Sequence, residues 1–361
     1  MTDSPAPAPA LSFDYVTARA AFLDAAEAAG ATITRHDHPL TGLHDEALSL
    51  DVATLGPADA ARRVLVVSGT HGVEGYCGSA LQTGWLRTMA DQRPDDVRLV
   101  LVHAFNPYGF SWVRRVNEDN IDLNRNFIDW SAEPPRNDGY GELADLLVPE
   151  RFDEAEQQRT IEALLMKSAE MGMDQLQQVV SGGQYDHPTG VFYGGQAAAW
   201  SNDRLTEIWR AELAGADEVR VLDLHTGLGP RGFGELISHC TVDSDGYRRA
   251  TALWGEVRSM TDGESVSADL TGDWLAWVDE WETDAEVTAV AIEYGTVDVI
   301  SVLLALRADA WMHAHGDPRG EGSEAIRAQV RAAFIDDEPD WIDTCWEQFA
   351  RRMDAALHSD I

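Results

Sequence analysis

Lysine is nearly absent from this chain of 361 residues: Lys167 is the only one. Basic residues number 27 against 62 acidic ones, giving a formal net charge of −35. A field of that sign repels polyanions, so nucleic acid and anionic membranes are excluded as partners. The acidic, lysine-poor balance suits a high-salt cytoplasm; GC-rich coding and an ordinary solvated acidic surface account for it equally well. Cysteine is scarce too. Cys77, Cys240 and Cys345 are odd in number and form no CxxC pair. That argues against a disulfide framework and for a reducing compartment, with each thiol expected to be buried and structural. No apolar run reaches the ~18 residues of a membrane span. The opening MTDSPAPAPALSFDY has neither a positive n-region nor an apolar h-region, so a secretory signal is not expected. The expected location is the cytoplasm. Residues 1–12 read as a loose tail, and 13–361 as one catalytic domain.

What the chain does have is core. Hydrophobic residues make up 44%, with 12 Trp and 10 Phe, which supports a sizeable buried interior. Short β-branched runs, RVLVV at 63–67, VRLVLV at 97–102, VRVLDL at 219–224 and VTAVAI at 287–292, read as buried strands. Residues 47–55 alternate like a strand, and 233–240 form a further candidate. Residues 15–29, 75–89, 198–213, 246–260 and 269–281 read as helices, as does a polar stretch over 154–180. From 298 onward the pattern is helical, with breaks at 316–322 and 336–339. The segment 128–202 is less regular and includes SGGQYDHPTGVFYGG, read as an ordered loop. Strand–helix–strand succession predicts a single α/β domain: a mixed, largely parallel sheet flanked by helices, with an insert near 128–202.

Three strand ends carry polar residues suited to chemistry. His71 and Glu74 follow RVLVV in GTHGVEG, where a turn can present an imidazole and a carboxylate to one ion. His225 follows VRVLDL in DLHTG, and Glu293 ends VTAVAI in IEYGT. Open parallel sheets place active sites at the carboxyl ends of their strands. Zinc accepts His and Glu, and usually keeps a position open for water when catalytic. After VRLVLV come Asn106-Pro107-Tyr108-Gly109 and then RRVNEDNIDLNRNF, whose Arg114, Arg115 and Arg125 are unusual in so acidic a chain. Arginine suits carboxylate binding and oxyanion stabilisation, although a structural salt-bridge loop would use the same residues. His36, His38, His44, His313, His315 and His358 have no such pattern and are expected at the surface.

HxxE, DLNRNF with an arginine ten residues before its own, a distant strand-end His and a late strand-borne Glu together resemble the zinc carboxypeptidase superfamily. That superfamily also holds the aspartoacylase and succinylglutamate desuccinylase deacylases. The order and spacing match over roughly residues 60–300, and the DLNRNF block is the most specific part. The whole, including GGQY and FYGG, looks most like the bacterial branch called domain of unknown function 2817. The resemblance implies one zinc ion per chain, held by His71, Glu74 and His225. It implies that Asp122 orients His71, that Arg115 stabilises the oxyanion, and that Asn124 and Arg125 bind a substrate carboxylate. Glu293 would take a proton from water and pass it to the leaving amine.

The sequence departs from the family in two places. The 70 or so residues after Glu293 read as helical, so the β-rich C-terminal domain of the deacylases is not expected there. The carboxypeptidases' mobile tyrosine also has no counterpart, since no Tyr lies between Tyr247 and Tyr294; Tyr185 and Tyr193 are alternatives from another segment. The expected function is a zinc-dependent hydrolase that cleaves an amide next to a carboxylate-bearing group, in a small molecule or a peptide. An N-acyl amino acid deacylase is the alternative, and an inactive binding protein that kept the fold is a third reading. The oligomeric state is left open.

Overall fold

A computed structural model describes residues 11–278 and 284–360. Most of the expected tail, and the end of the helix expected over 269–281, lie outside the described residues. The strands are β1 (Thr32–Thr41), β2 (Ala47–Leu55), β3 (Arg62–Ser68), β4 (Val97–His103), β5 (Glu218–Gly227), β6 (Gly234–Ser238), β7 (Arg258–Ser259) and β8 (Glu286–Gly295). The helices are α1 (Tyr15–Ala28), α2 (Gly75–Thr88), α3 (Pro107–Trp112), α4 (Ala144–Leu147), α5 (Glu154–Met171), α6 (Met173–Ser181), α7 (Trp200–Ile208), α8 (Asp245–Trp254), α9 (Trp274–Val278), α10 (Val299–His315), α11 (Ser323–Phe334) and α12 (Pro339–His358).

All eight strands form one sheet in the order β1-β2-β4-β3-β5-β8-β6-β7. The central four, β4, β3, β5 and β8, run parallel, as their β-branched runs predict. Antiparallel strands β2 and β6 flank them. The strands are buried on both faces because side chains alternate. Val64 and Val66 of β3 enter the core with α1, α2 and α12, while Leu65 and Val67 enter the core with α7 and α9. Fully burying such a side chain contributes about 1.5–3 kcal/mol. The same alternation sends Asp223 and His225 of β5 to one face, and the register sets His225 directly beside Glu293 of β8.

Several expectations change. β1 was not foreseen: it is mostly exposed, polar and interrupted by a register shift between Asp37 and Thr41, so it lacks the apolar alternation of a half-buried strand. The helix expected over 246–260 stops at Trp254, because Arg258 and Ser259 pair with Ile237 and Ser238 as β7. The helix expected over 154–180 is two, broken where Gly172 takes φ +92°, a conformation open to glycine but strained for other residues. His38 is buried and His313 half-buried, not at the surface as expected. The Trp200 and Tyr108 rings pack around His38, and Trp112 covers His313. Cys77 and Cys345 are buried as expected, while Cys240 is only half-buried. The three helices α10, α11 and α12 follow β8 with the two breaks expected, and no described helix is long and apolar enough to cross a membrane.

Candidate functional site

The carboxyl ends of β3, β5 and β8 lie side by side in the sheet, and each brings its expected residue to one cleft. His71 and Glu74 sit in the turn from β3 into α2. That turn is fastened to the arginine-bearing segment, since the backbone N–H groups of Gly72 and Val73 donate to the carbonyls of Arg115 and Arg114 at 3.1 and 2.8 Å. Gly72 permits this approach: a Cβ there would lie 2.0 Å from the Gly109 carbonyl carbon. Any larger residue would force the two backbones apart.

His71, Glu74 and His225 are all buried, and one ligand atom from each lies within 4.8 Å of the others. Nδ1 of His71 is 2.9 Å from Glu74 Oε1. Nδ1 of His225 is 3.0 Å from Glu74 Oε2 and 3.2 Å from the His71 Nδ1. Each imidazole uses its other nitrogen elsewhere. His71 Nε2 lies 3.1 Å from Asp122 Oδ1, and His225 Nε2 lies 2.6 Å from Asp223 Oδ2. A carboxylate at Nε2 favours the tautomer that carries its proton there, which turns each Nδ1 into an acceptor. Two acceptor nitrogens and a carboxylate then converge on one point. That is a cation's donor set, of the two-His, one-carboxylate kind that catalytic zinc takes.

The surrounding charges fit this picture. Burial works against the Glu74 carboxylate, but the two imidazoles override it and hold its pKa below the usual range. Burial likewise opposes ionised Asp122, and Arg115, Arg125 and His71 hold it well below the ordinary value. Arg115 donates from Nη1 to Glu74 Oε1 and from Nε to Asp122 Oδ2, both at 3.0 Å. Arg114 turns away and pairs with Asp309 at 2.9 Å, so two of the three clustered arginines reach the cleft. Glu293 accepts the Leu228 N–H at 2.8 Å. Burial first, and then the negative charge of Glu74, push its pKa up to about 7. A carboxyl near neutrality can both accept and return a proton.

Asn124 and Arg125 lie in a one-turn helix capped by Asp122, which accepts the Asn124 N–H at 3.0 Å. Arg125 is 2% exposed. Its Nε donates to the Ser181 carbonyl at 3.1 Å and its Nη1 to the Asn124 carbonyl at 2.9 Å. Its nearest carboxylate oxygen, on Asp122, is 4.0 Å away. Burial lowers its pKa, and neighbouring Arg115 works in the same direction. Arg115 is thus matched by two carboxylates in direct contact, while Arg125 carries a buried charge with no direct partner of opposite sign. The Asn124 Oδ1 beside it is buried and has no hydrogen-bond partner. Both side chains face the cleft, along with His71, Arg115, His225 and Glu293.

Three features were not foreseen, and the place of the tyrosine had been left open. Asp223 clamps His225 and is itself held by the Trp274 indole at 2.8 Å and the Thr70 hydroxyl at 2.7 Å. DLH contained the signal: positions two apart on a strand share a face. His239 and Asp273 form a hydrogen-bonded pair in the cleft wall, drawn from separate segments with no shared motif. Among the described residues no tyrosine lines the cleft; Tyr185 is committed to the Arg125 carbonyl at 2.7 Å. The remaining feature is the apolar wall. It is built largely by Leu, Ile, Val and Met side chains from α5, α6 and α10.

A protein-family match described as "Protein of unknown function (DUF2817)" spans residues 11–348. The chain belongs to that family. No curated protein matches it. Among solved structures, carboxypeptidase A from Helicoverpa armigera aligns over 96% of this chain and 75% of its own, at 12% identity and TM-score 0.52. An aspartoacylase family protein from Mesorhizobium loti aligns over 85% and 71%, at 18% identity and TM-score 0.40. A succinylglutamate desuccinylase from Silicibacter covers 78% and 64%, at 14% identity and TM-score 0.41. At such identities the likeness is one of fold, and it rests on the first of the three. The DUF2817 fold is therefore carboxypeptidase-like.

Proposed function

We propose that the protein is a zinc-dependent hydrolase that cleaves an amide bond next to a carboxylate-bearing group. The observation that carries this reading is the convergence of three acceptor atoms, from His71, Glu74 and His225, beside a buried carboxyl and a buried arginine whose nearest carboxylate oxygen is 4.0 Å away. The carboxypeptidase A name borne by the neighbour in fold points the same way. Zinc held by the three ligands would supply Lewis acidity at that point, one ion per chain. Asp122 and Asp223 hold the two imidazoles in orientation and tautomer.

Arg125 binds the substrate carboxylate. It donates three of its N–H groups to backbone carbonyls, which leaves one on each terminal nitrogen for a bidentate grip. Asn124 supplies a further polar contact. With the carboxylate fixed there, the scissile amide lies beside Glu293. Glu293 takes a proton from the attacking water as oxygen bonds to the carbonyl carbon. The positive charge of Arg115 offsets the charge that grows on the carbonyl oxygen. The C–N bond then breaks, and Glu293 gives its proton to the departing amine. The products are a carboxylate and an amine.

The decisive experiment compares native protein and Glu293→Gln, both with zinc measured by elemental analysis, on N-acyl amino acids and C-terminal dipeptides. Zinc content stays the same and turnover falls by ~10²–10⁴-fold, the usual size of a general acid–base contribution. A variant with near-native kcat removes Glu293 from the mechanism. Arg125→Lys raises KM with zinc content unchanged, and a methyl ester of the carboxylate harms the native enzyme more than this variant. Equal processing of ester and free acid by the native enzyme would end the carboxylate assignment.

A further inference from the structure

The apolar wall of the cleft goes beyond what amide hydrolysis requires. It is made by three helices with stripes at helical spacing. On α5 the stripe is Ile161, Leu164 and Leu165; on α6 it is Met173, Leu176 and Val180; on α10 it is Val299, Ile300 and Leu303. Such stripes normally disappear into a core. Here they face open space, and Leu165, Met173, Val299 and Ile300 are 55, 46, 43 and 45% exposed. Four of the eleven large apolar side chains exposed among the described residues therefore ring one opening. On a surface with a net charge of −35, such a concentration marks a binding site for apolar material.

The wall also has a direction. Ser181, the last residue of α6, holds Arg125 at the closed end of the cleft. Met173, the first, stands at the opening. Eight steps of helical rise separate them, about 12 Å; the amino-acid half takes up about 4 Å of this, which leaves about 8 Å for an acyl chain of about seven carbons. The α10 side starts at the same opening with Val299 and Ile300 and runs inward to buried Val302 and Leu306. Resting on the function proposed above, a carboxylate on buried Arg125 fixes the amino-acid half of the substrate at the bottom. The half that extends past the scissile amide toward the opening is the acyl half.

We infer that the substrate is an N-acyl amino acid with a medium to long alkyl chain, which lies between α6 and α10 with its end at the ring of Leu165, Met173, Val299 and Ile300. The tail is recognised chiefly by area: of the polar side chains that α6 brings to the lining, Gln177 donates to the Val266 carbonyl and Ser181 to the Gln177 carbonyl. Hydrolysis adds water across the amide and releases a fatty carboxylate and a free amino acid, with no redox change.

Binding separates this inference from the catalytic reading. Zinc-loaded Glu293→Gln is titrated calorimetrically with acetyl, hexanoyl, decanoyl and tetradecanoyl derivatives of one amino acid. Affinity rises by at least about a hundredfold from acetyl to decanoyl, since each fully buried methylene is worth about fourfold, and has levelled off by decanoyl. In the same background, Leu165→Asp and Ile300→Asp, on separate helices and at exposed positions, each weaken decanoyl binding about tenfold or more and narrow the decanoyl-to-acetyl ratio. An affinity independent of chain length overturns the inference. So does a length dependence untouched by both substitutions, or one seen only when the alkyl chain is carried as the amino-acid side chain. Tight length-dependent binding with no hydrolysis by the native zinc enzyme leaves the alkyl-chain site standing and removes the proposed function instead.

Discussion

The floor of the cleft and its walls are built in opposite ways. On the floor, charged groups hold one another: Asp122 takes His71 and Arg115, Asp223 takes His225, Trp274 and Thr70, and Glu74 takes both imidazoles and Arg115. Every such bond fixes an angle, so the floor determines where atoms react. The walls are aliphatic side chains from α5, α6 and α10, which have no directional bonds and respond to area and length. Chemistry and substrate choice thus reside in separable parts of the molecule, the first on strand ends and the second on helices.

The separation can be broken hardest at the floor. His71→Ala and His225→Ala each remove a donor from a three-donor set, and each is expected to lose nearly all bound zinc and all turnover. Elemental analysis of purified protein checks this, and unchanged zinc in both variants would refute the ligand assignment. Asp223→Asn tests the next layer. It leaves the ligands in place but disturbs the clamp on His225, and zinc affinity is expected to fall about 10–100-fold in competition with a chelator. A variant that binds zinc as tightly as the native protein would show that the strand alone orients His225.

A smaller effect separates stability from function on the floor itself. The Glu293 pKa rises from 4.5 to about 7 on folding. A raised pKa means that the folded state holds the proton more tightly. Its contribution is therefore fully present below pH 4.5 and is lost as pH climbs through 7. In chelator-treated protein, Glu293→Gln should match the native melting temperature near pH 4.5. Above pH 7 it should exceed native stability by about 3 kcal/mol at most, at about 1.4 kcal/mol per unit. A constant gap across that range would place the carboxyl in a less strained environment. The smallest effect is global. Self-repulsion at −35 is screened by salt over a Debye length of ~8 Å at physiological strength. The melting temperature should rise by a few degrees from dilute buffer to molar KCl, and a flat profile would mean that the negative charges are already well dispersed.

The floor was far more legible in the sequence than the walls, and the reason is physical. A parallel strand buried on both faces is a continuous apolar run, so its end is visible, and the polar residue just past that end stands out. His71, Glu74, His225 and Glu293 were found that way; the first three lie together, and His71, His225 and Glu293 line one cleft. Asp223 was overlooked because it lies inside its run, where a period of two and not a boundary marks it. The walls were hidden for a different reason. Residues 154–180 have a polar average, and an apolar stripe on a polar helix shows which residues share a face without showing what that face meets. β1 was missed because an exposed edge strand needs no apolar alternation.

The single lysine gives the walls an address of their own. Lys167 lies on α5, one residue before Ser168 of the cleft lining, and its amine stands 3.5 and 3.7 Å from Glu142 and Glu170. No other side chain in the protein carries a primary amine. An amine-reactive dye therefore has one side-chain target, two residues along α5 from Leu165 of the apolar wall. Attached there, a fluorophore sensitive to its surroundings reports whatever enters between α6 and α10 without altering any residue that holds the metal or the proton.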